Sequence, residues 1–232
     1  MRVSAIVLVA GKGIRFKNDV PKPLAQIYSQ PVVIYCLKTL STHPDISDIL
    51  VVVNSKNKAD IINTINRYRI GKIKDIVLGG SRRQDSVSNG LRAIDARSDF
   101  VLIHDGVRPF IDKKLVSALI NAAKESGAAI AGVPVKVTIK KIKNKKSLVV
   151  EKTLDRNSLW EIQTPQVFKK DLFLEAYDRF GNIDVTDDAM LVEKLGAKVK
   201  VVLGSYDNIK ITTAEDLAIA EAISKKWNTE PV

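Results

Sequence analysis

The sequence predicts an α/β fold: a Rossmann-like, mostly parallel sheet with helices on both faces, plus a protruding β-hairpin arm. Three observations carry this. Short β-branched runs alternate with longer amphipathic segments, the rhythm of βαβ units. The runs are almost wholly apolar, as strands covered on both faces require. One stretch switches to a period of two and stands outside that rhythm.

The strand runs are Val3–Val9, Ile49–Val53, Asp75–Leu78, Phe100–His104, Ala129–Val135 and Val199–Leu203. Helical patterns fill the intervals: Pro31–Leu40, Lys58–Tyr68, Asp85–Ile94, Lys113–Ser126, Lys170–Phe180, Thr186–Leu195 and Ala214–Lys226. Thr212 or Thr213 stands where a residue can cap the last of these. In the stretch 136–150, Val137 and Ile139 alternate with Lys136, Thr138 and Lys140, and Asn144-Lys145-Lys146 supplies a turn. A lone two-stranded hairpin is marginal in water, so the arm needs a surface to pack on, and a second copy of the chain is the natural one. No fixed-period repeat or Gly/Ser-rich linker interrupts the chain. Residues 1–232 therefore read as a single domain, with 136–152 as an arm for dimerisation.

The chain has 232 residues, 45% hydrophobic, 27% charged and 6% aromatic. That is globular usage and excludes disordered and fibrous classes. One cysteine and two histidines exclude an internal disulfide framework and a Cys/His metal cluster. The apolar run after Ser4 is too short for a signal peptide or a membrane span, so the expectation is a cytoplasmic protein without membrane attachment. The formal charge of +11 points to a polyanionic partner. Nucleic acid is the less favoured one. Six lysines fall within Lys136–Lys146, but no aromatic side chain interleaves with them to stack a base. A lysine-protected hairpin edge accounts for the run.

The first strand runs straight into Ala10-Gly11-Lys12-Gly13-Ile14-Arg15-Phe16. Ligands of α/β sheets bind at the carboxyl ends of strands, and glycines there let backbone N–H groups reach a phosphate. Phe16 stands where a dinucleotide fingerprint needs its third glycine, and Gly13 stands where a P-loop needs Ser or Thr. What remains is a glycine turn backed by Lys12, Arg15 and Lys22, the last between two prolines. A plain glycine turn beside a solvated basic loop is the bland alternative.

Further motifs follow in order: Gly79–Val87, His104–Pro109, Leu154–Trp160, Gln163–Gln166, Thr186–Ala189 and Asp207–Lys210. With the glycine loop they resemble, over essentially the whole chain, the sugar-phosphate nucleotidyltransferases. Within these they resemble the cytidylyltransferases of 2-C-methyl-D-erythritol 4-phosphate in non-mevalonate isoprenoid synthesis. The resemblance implies a nucleotidyltransferase fold, CTP and methylerythritol phosphate as substrates, a divalent cation such as Mg²⁺, and a homodimer. It implies that Arg15, Lys22, Arg156 and Lys210 are catalytic cations and that Ala10, Gly11, Gly13, Gly80 and Ser86 hold the nucleotide. Asp105, Arg108, Thr138 and Thr164 would form the acceptor pocket, with Thr138 and Arg156 reaching the partner subunit's site. It implies no set of metal ligands.

Bland alternatives stand beside several of these. Ser86 can be a helix cap, Asp105 and Arg108 a surface ion pair, and Asp187 and Asp188 helix-capping carboxylates. His104 reads as a packed strand end, Cys36 as core, and Trp160 as core or dimer contact. Three departures from the family pattern are Val137, where an aspartate is usual, Val9-Ala10 before the glycine loop, where Ala-Ala is usual, and Ser81, where an acid is common. The alternative activities are a ribitol-5-phosphate cytidylyltransferase and a non-catalytic binding subunit. The four cations argue against the latter.

Overall fold

The computed structural model describes residues 1–11, 16, 20–144 and 146–229. The central sheet contains β1 (Val3–Leu8), β4 (Ile46–Val53), β5 (Ile73–Leu78), β6 (Phe100–Asp105), β7 (Ala128–Pro134), β10 (Trp160–Lys169) and β11 (Lys200–Leu203). Two short strands, β2 (Gln26–Ile27) and β3 (Gln30–Pro31), pair with each other. The strand order is β11-β7-β10-β6-β1-β4-β5. The β1 pairs with β4 and β6 are parallel, as are β4 with β5 and β11 with β7, whereas β10 runs antiparallel to both β6 and β7. The sheet is thus mostly parallel, as the apolar runs imply.

The one reversed strand, β10, is missing from the sequence reading. Pro165 interrupts it, and Gln163, Thr164 and Gln166 make it polar where a central strand is normally apolar. The pairing with β7 slips between Gln163 and Gln166, which absorbs the proline.

The helices are α1 (Val32–Ser41), α2 (Lys58–Arg67), α3 (Arg83–Ala93), α4 (Lys113–Ser126), α5 (Lys170–Phe180), α6 (Ala189–Lys194) and α7 (Glu215–Thr229). Alternation along β1 sorts them. Val3, Ala5 and Val7 pack with Leu37 of α1, Ile61 of α2 and Leu119 of α4. Ile6 and Leu8 face the other way, with Leu91 of α3, Phe173 of α5 and Leu191 of α6. Both sheet faces are therefore covered, which parallel strands require. A third cluster, with Phe16, Phe110, Ile211 and Ala220 of α7, closes the carboxyl-end side.

Local chemistry sets the helix ends. Asp112 accepts from Leu115 N at 2.6 Å, and Gly127 at φ 81° ends α4, so its predicted and observed bounds coincide. At α7 the capping runs in reverse: Asp216 accepts from the backbone N–H groups of Thr212 and Thr213. Helix α3 begins at Arg83 rather than Asp85, which puts Ser86 inside the first turn, so it is not the cap.

The arm is a separate two-stranded antiparallel sheet, β8 (Lys140–Ile142) against β9 (Val150–Thr153). Asn144 makes its turn, accepting from Lys146 N and Ser147 N. Val137, Leu148, Val149 and Val150 are exposed on it. Trp160 is 40% exposed and so is no core residue, whereas Cys36 is fully buried and its thiol is pushed up to about 12. Among the described residues no helix is long and apolar enough to cross a membrane.

Candidate active site

Two cavities open beside each other at the carboxyl ends of the strands. The first, of about 310 Å³, is walled by Ala10, Gly11, Lys22, Gly80 and Ser86. Val9 N donates to Val52 O as β1 ends. The loop after β4 then clamps the turn: Asn57 Nδ2 donates to Val9 O at 3.0 Å and Asn54 Nδ2 to Ala10 O at 3.3 Å. A Cβ on Gly11 would meet nothing within 4 Å, so its bare backbone faces open space. Lys12, Gly13 and Arg15 lie outside the described residues. Lys22 opens a 3₁₀ turn, Lys22–Leu24, flanked by Pro21 and Pro23, and it lines the cavity as the rigid Pro-Lys-Pro segment suggests.

The opposite wall is the Gly79-Gly80 turn. A Cβ on Gly79 would come within 2.6 Å of Ala10 Cβ, and one on Gly80 within 2.3 Å of Asp85 Cβ. Only glycine lets this turn close on the first strand's turn. Ser86 Oγ accepts from Gly80 N at 3.1 Å and donates to Arg82 O at 3.2 Å. The hydroxyl thus fixes the turn from inside α3.

The second cavity, of about 650 Å³, has a polar end formed by Arg108, Thr164, Gln166, Thr186 and Asp187 and an apolar side with Ile130, Ile162 and Val201. Arg83, Asp105 and Lys210 line both cavities and form the wall between them. Asp105 is no surface ion-pair partner of Arg108. Its carboxylate is 9% exposed and takes Lys210 Nζ at 2.6 Å and Arg83 Nε at 3.3 Å. Burial works against its charge, but Arg83, Lys210 and Arg108 together hold the carboxyl well below the usual range. Arg108 is itself buried and donates through Nη1 to Asn208 O at 2.7 Å. Asn208 in turn donates to Thr164 O and to Gln163 Oε1, tying the loop that carries Lys210 to β10.

Thr164 lines the second cavity, and its hydroxyl also braces the strand ends. It accepts from Asp105 N at 3.0 Å and lies 3.1 Å from His104 Nδ1, while His104 Nε2 is 3.0 Å from Arg108 O. A carbonyl only accepts, so Nε2 carries the proton, Nδ1 accepts, and Thr164 donates to it. His104 is fully buried, and that burial lowers it to about 4, so it is a neutral structural strut. Between its ordinary value of 6.5 and about 4 the unfolded chain binds a proton here that the folded chain refuses. Stability therefore rises with pH across that window, by about 3 kcal/mol from this group. Urea unfolding of His104→Asn is expected to show a flatter pH dependence between those values. An unchanged slope would contradict the assignment.

Arg156 sits in a 3₁₀ turn, Arg156–Ser158, exposed, donating to Lys136 O at 2.9 Å. Thr138 is exposed at the base of the arm. Neither lines either cavity. Asp187 does cap α6, accepting from Met190 N, but Asp188 does not. Asp188 is wholly buried and pairs with Arg83 Nη1 at 2.6 Å. The sequence alone does not single out Arg83, Asp188, Gln166 or Asn208 within their motifs. The clue was that Arg83 and Asn208 each share a motif with a predicted site residue.

Comparison with known proteins agrees with this geometry. Residues 3–226 match the family model described as 2-C-methyl-D-erythritol 4-phosphate cytidylyltransferase. Proteins of that name from Syntrophus aciditrophicus (45% identity, 97% of each chain covered) and Alkaliphilus oremlandii (46%, with 97% of this chain and 95% of the relative covered) are similar. The solved 4-diphosphocytidyl-2C-methyl-D-erythritol synthase of Anaerococcus prevotii superposes with a TM-score of 0.84 at 36% identity over 96% of each chain. With a match spanning both glycine turns, the shared wall and the arm, the chain belongs to the 2-C-methyl-D-erythritol 4-phosphate cytidylyltransferase family.

Proposed function

We propose that this protein transfers CMP from CTP to 2-C-methyl-D-erythritol 4-phosphate, releasing pyrophosphate and forming 4-diphosphocytidyl-2-C-methyl-D-erythritol. The observation that carries the reading is the wall common to two cavities, built from Arg83, Asp105 and Lys210. CTP occupies the glycine-walled cavity, with its cytidine end at Gly80 and Ser86 and its triphosphate along Ala10 and Gly11. Gly13 and Arg15 extend that cradle in the sequence. The acceptor phosphate lies in the second cavity, near Arg108 and Lys210.

An oxygen of the acceptor phosphate attacks the α-phosphorus in line. The new P–O bond forms as the bond to the β-phosphate bridging oxygen breaks, and the electron pair leaves with pyrophosphate. The acceptor phosphate is already ionised near neutrality, so no base is needed, in keeping with a neutral, fully engaged His104. The chain's work is positioning and positive charge, from Lys22, Lys210 and Arg15.

A divalent cation, Mg²⁺ foremost, belongs to the reading. Among the described residues no group of three or more His, Cys, Asp or Glu is placed to hold a metal. Among the described residues, Asp105 is the carboxylate of the nucleotide cavity, and cations hold both its oxygens. This donor set fits an ion carried mainly by the triphosphate, with Asp105 as its protein neighbour; when bound, it screens phosphate charge.

The arm is read as the dimer contact, delivering Arg156 and Thr138 to the partner's acceptor cavity. Their exposure, and their not lining their own chain's two cavities, support this. Mixing Arg156→Ala with Lys210→Ala subunits tests it. Mixed dimers would hold one intact site, so activity should reappear from two inactive parents. No recovery after subunit exchange would contradict an arm working in trans. The activity itself is tested by pyrophosphate release from CTP and Mg²⁺ with methylerythritol phosphate or ribitol phosphate. Release with the former supports the reading; release with ribitol phosphate alone moves the substrate, and release with neither overturns it.

A further inference from the structure

Arg83 and Asp188 are 105 residues apart in the chain, on α3 and at the start of α6, yet they meet at 2.6 Å. Asp188 is fully buried, and its other oxygen accepts from Tyr177 Oη on α5 at 2.7 Å. Arg83 reaches forward from this anchor to Asp105, and Asp105 to Lys210. Four charges therefore alternate in sign, Asp188, Arg83, Asp105 and Lys210, from the core to the wall between the cavities. Arg83 keeps 31% of its side chain exposed, at that wall. Burial alone would weaken its charge, and the two carboxylates more than offset this. A carboxylate this deep is costly unless paired, so a purely structural solution would place an apolar residue there. The pairing instead fixes a guanidinium, whose planar fork suits phosphate oxygens, where the two cavities meet.

We propose that Asp188 is a positioning residue for the transfer: with Tyr177 it locks Arg83 in the shared wall, where the guanidinium contacts the phosphate passing between the two substrates. This rests on the reading of the cavities as nucleotide and acceptor sites. The role goes beyond helix capping, since the Asp188 carboxylate accepts no hydrogen bond from the first turn of α6; only its backbone carbonyl does, from Leu191 N.

The test is a double-variant cycle in steady-state kinetics, with thermal melts of every variant and wild type measured alongside. Arg83→Lys keeps the charge and loses the fork; it is expected to lower kcat by about 10–100-fold with little change in KM for CTP. Asp188→Asn should lower kcat similarly. The double variant Arg83→Lys/Asp188→Asn should be no slower than the worse single one, because Asp188 acts through Arg83. Losses that multiply, or a Asp188→Asn kcat equal to wild type, would overturn the proposal. If Asp188→Asn does not fold, Tyr177→Phe takes its place: it removes one hydroxyl from the same carboxylate, and its kcat loss should likewise vanish in the Arg83→Lys background. Wild-type enzyme that releases no pyrophosphate would instead refute the reading of the cavities.

Discussion

Replacing Lys210 by methionine is expected to lower kcat/KM for the acceptor by about 10²–10³-fold, the loss typical of one preorganised charge aimed at a developing anion. Lys210 is placed for this. It lines both cavities, and its ammonium is held by Asp105 at 2.6 Å. Methionine keeps the stem's volume and removes only the charge. Lys210 is 39% exposed but its partner Asp105 is only 9% exposed, so the variant should melt somewhat below wild type; Arg83 still pairs Asp105, so it should remain folded and the kinetic loss can be read on the folded enzyme. A loss smaller than about tenfold, from a folded variant, would show that the lysine serves the wall and not the reaction.

The second large effect is on stability. Asp105→Asn removes the anion that faces Arg83, Lys210 and Arg108. Removing one partner of a buried pair costs about 3–5 kcal/mol; the lower end applies here because Lys210 still reaches water and Arg83 keeps Asp188. The excess positive charge has a further consequence. A triphosphate supplies the missing negative charge, so CTP should raise the variant's melting temperature more than that of wild type. Equal shifts would mean that the nucleotide does not meet these cations. The pH dependence follows the same sign. The Asp105 carboxyl is depressed in the folded state, so its contribution is present above the usual carboxylate range and is lost as pH falls below it.

The strands and helices were legible where residues answered to one demand. Val, Ile and Leu in β1, β4 and β6 are buried on both faces, and their apolar runs say so. Strand β10 answers to two. It pairs centrally between β6 and β7, and it also carries Gln163, Thr164 and Gln166 for the loops and cavity. Its polarity and Pro165 conceal a central strand. The hairpin and its Asn144 turn were legible, but its strands were displaced: the alternating 136–140 run precedes β8 apart from Lys140, and β9 reaches Thr153.

The site was legible along the chain and hidden across it. Gly11, Gly80, Ser86, Asp105, Arg108 and Lys210 stand in short motifs at strand ends, and the structure gathers them at two adjoining cavities. Asp188 precedes an apolar helical pattern, which locally describes a cap. Its partner is Arg83, and only the packing of α3, α5 and α6 on one sheet face brings the pair together. Thr164 has a second task besides lining the acceptor cavity: its hydroxyl also links His104 to the Asp105 amide, a structural role its motif position does not reveal.

A crystal structure with CTP and the acceptor phosphate bound tests the central claim most directly. The expected result places the α-phosphate and the acceptor phosphate on opposite sides of the wall formed by Arg83, Asp105 and Lys210, close enough for in-line attack. An acceptor bound away from Lys210 and Arg108, or a nucleotide whose triphosphate lies off the Gly11 turn, would contradict it.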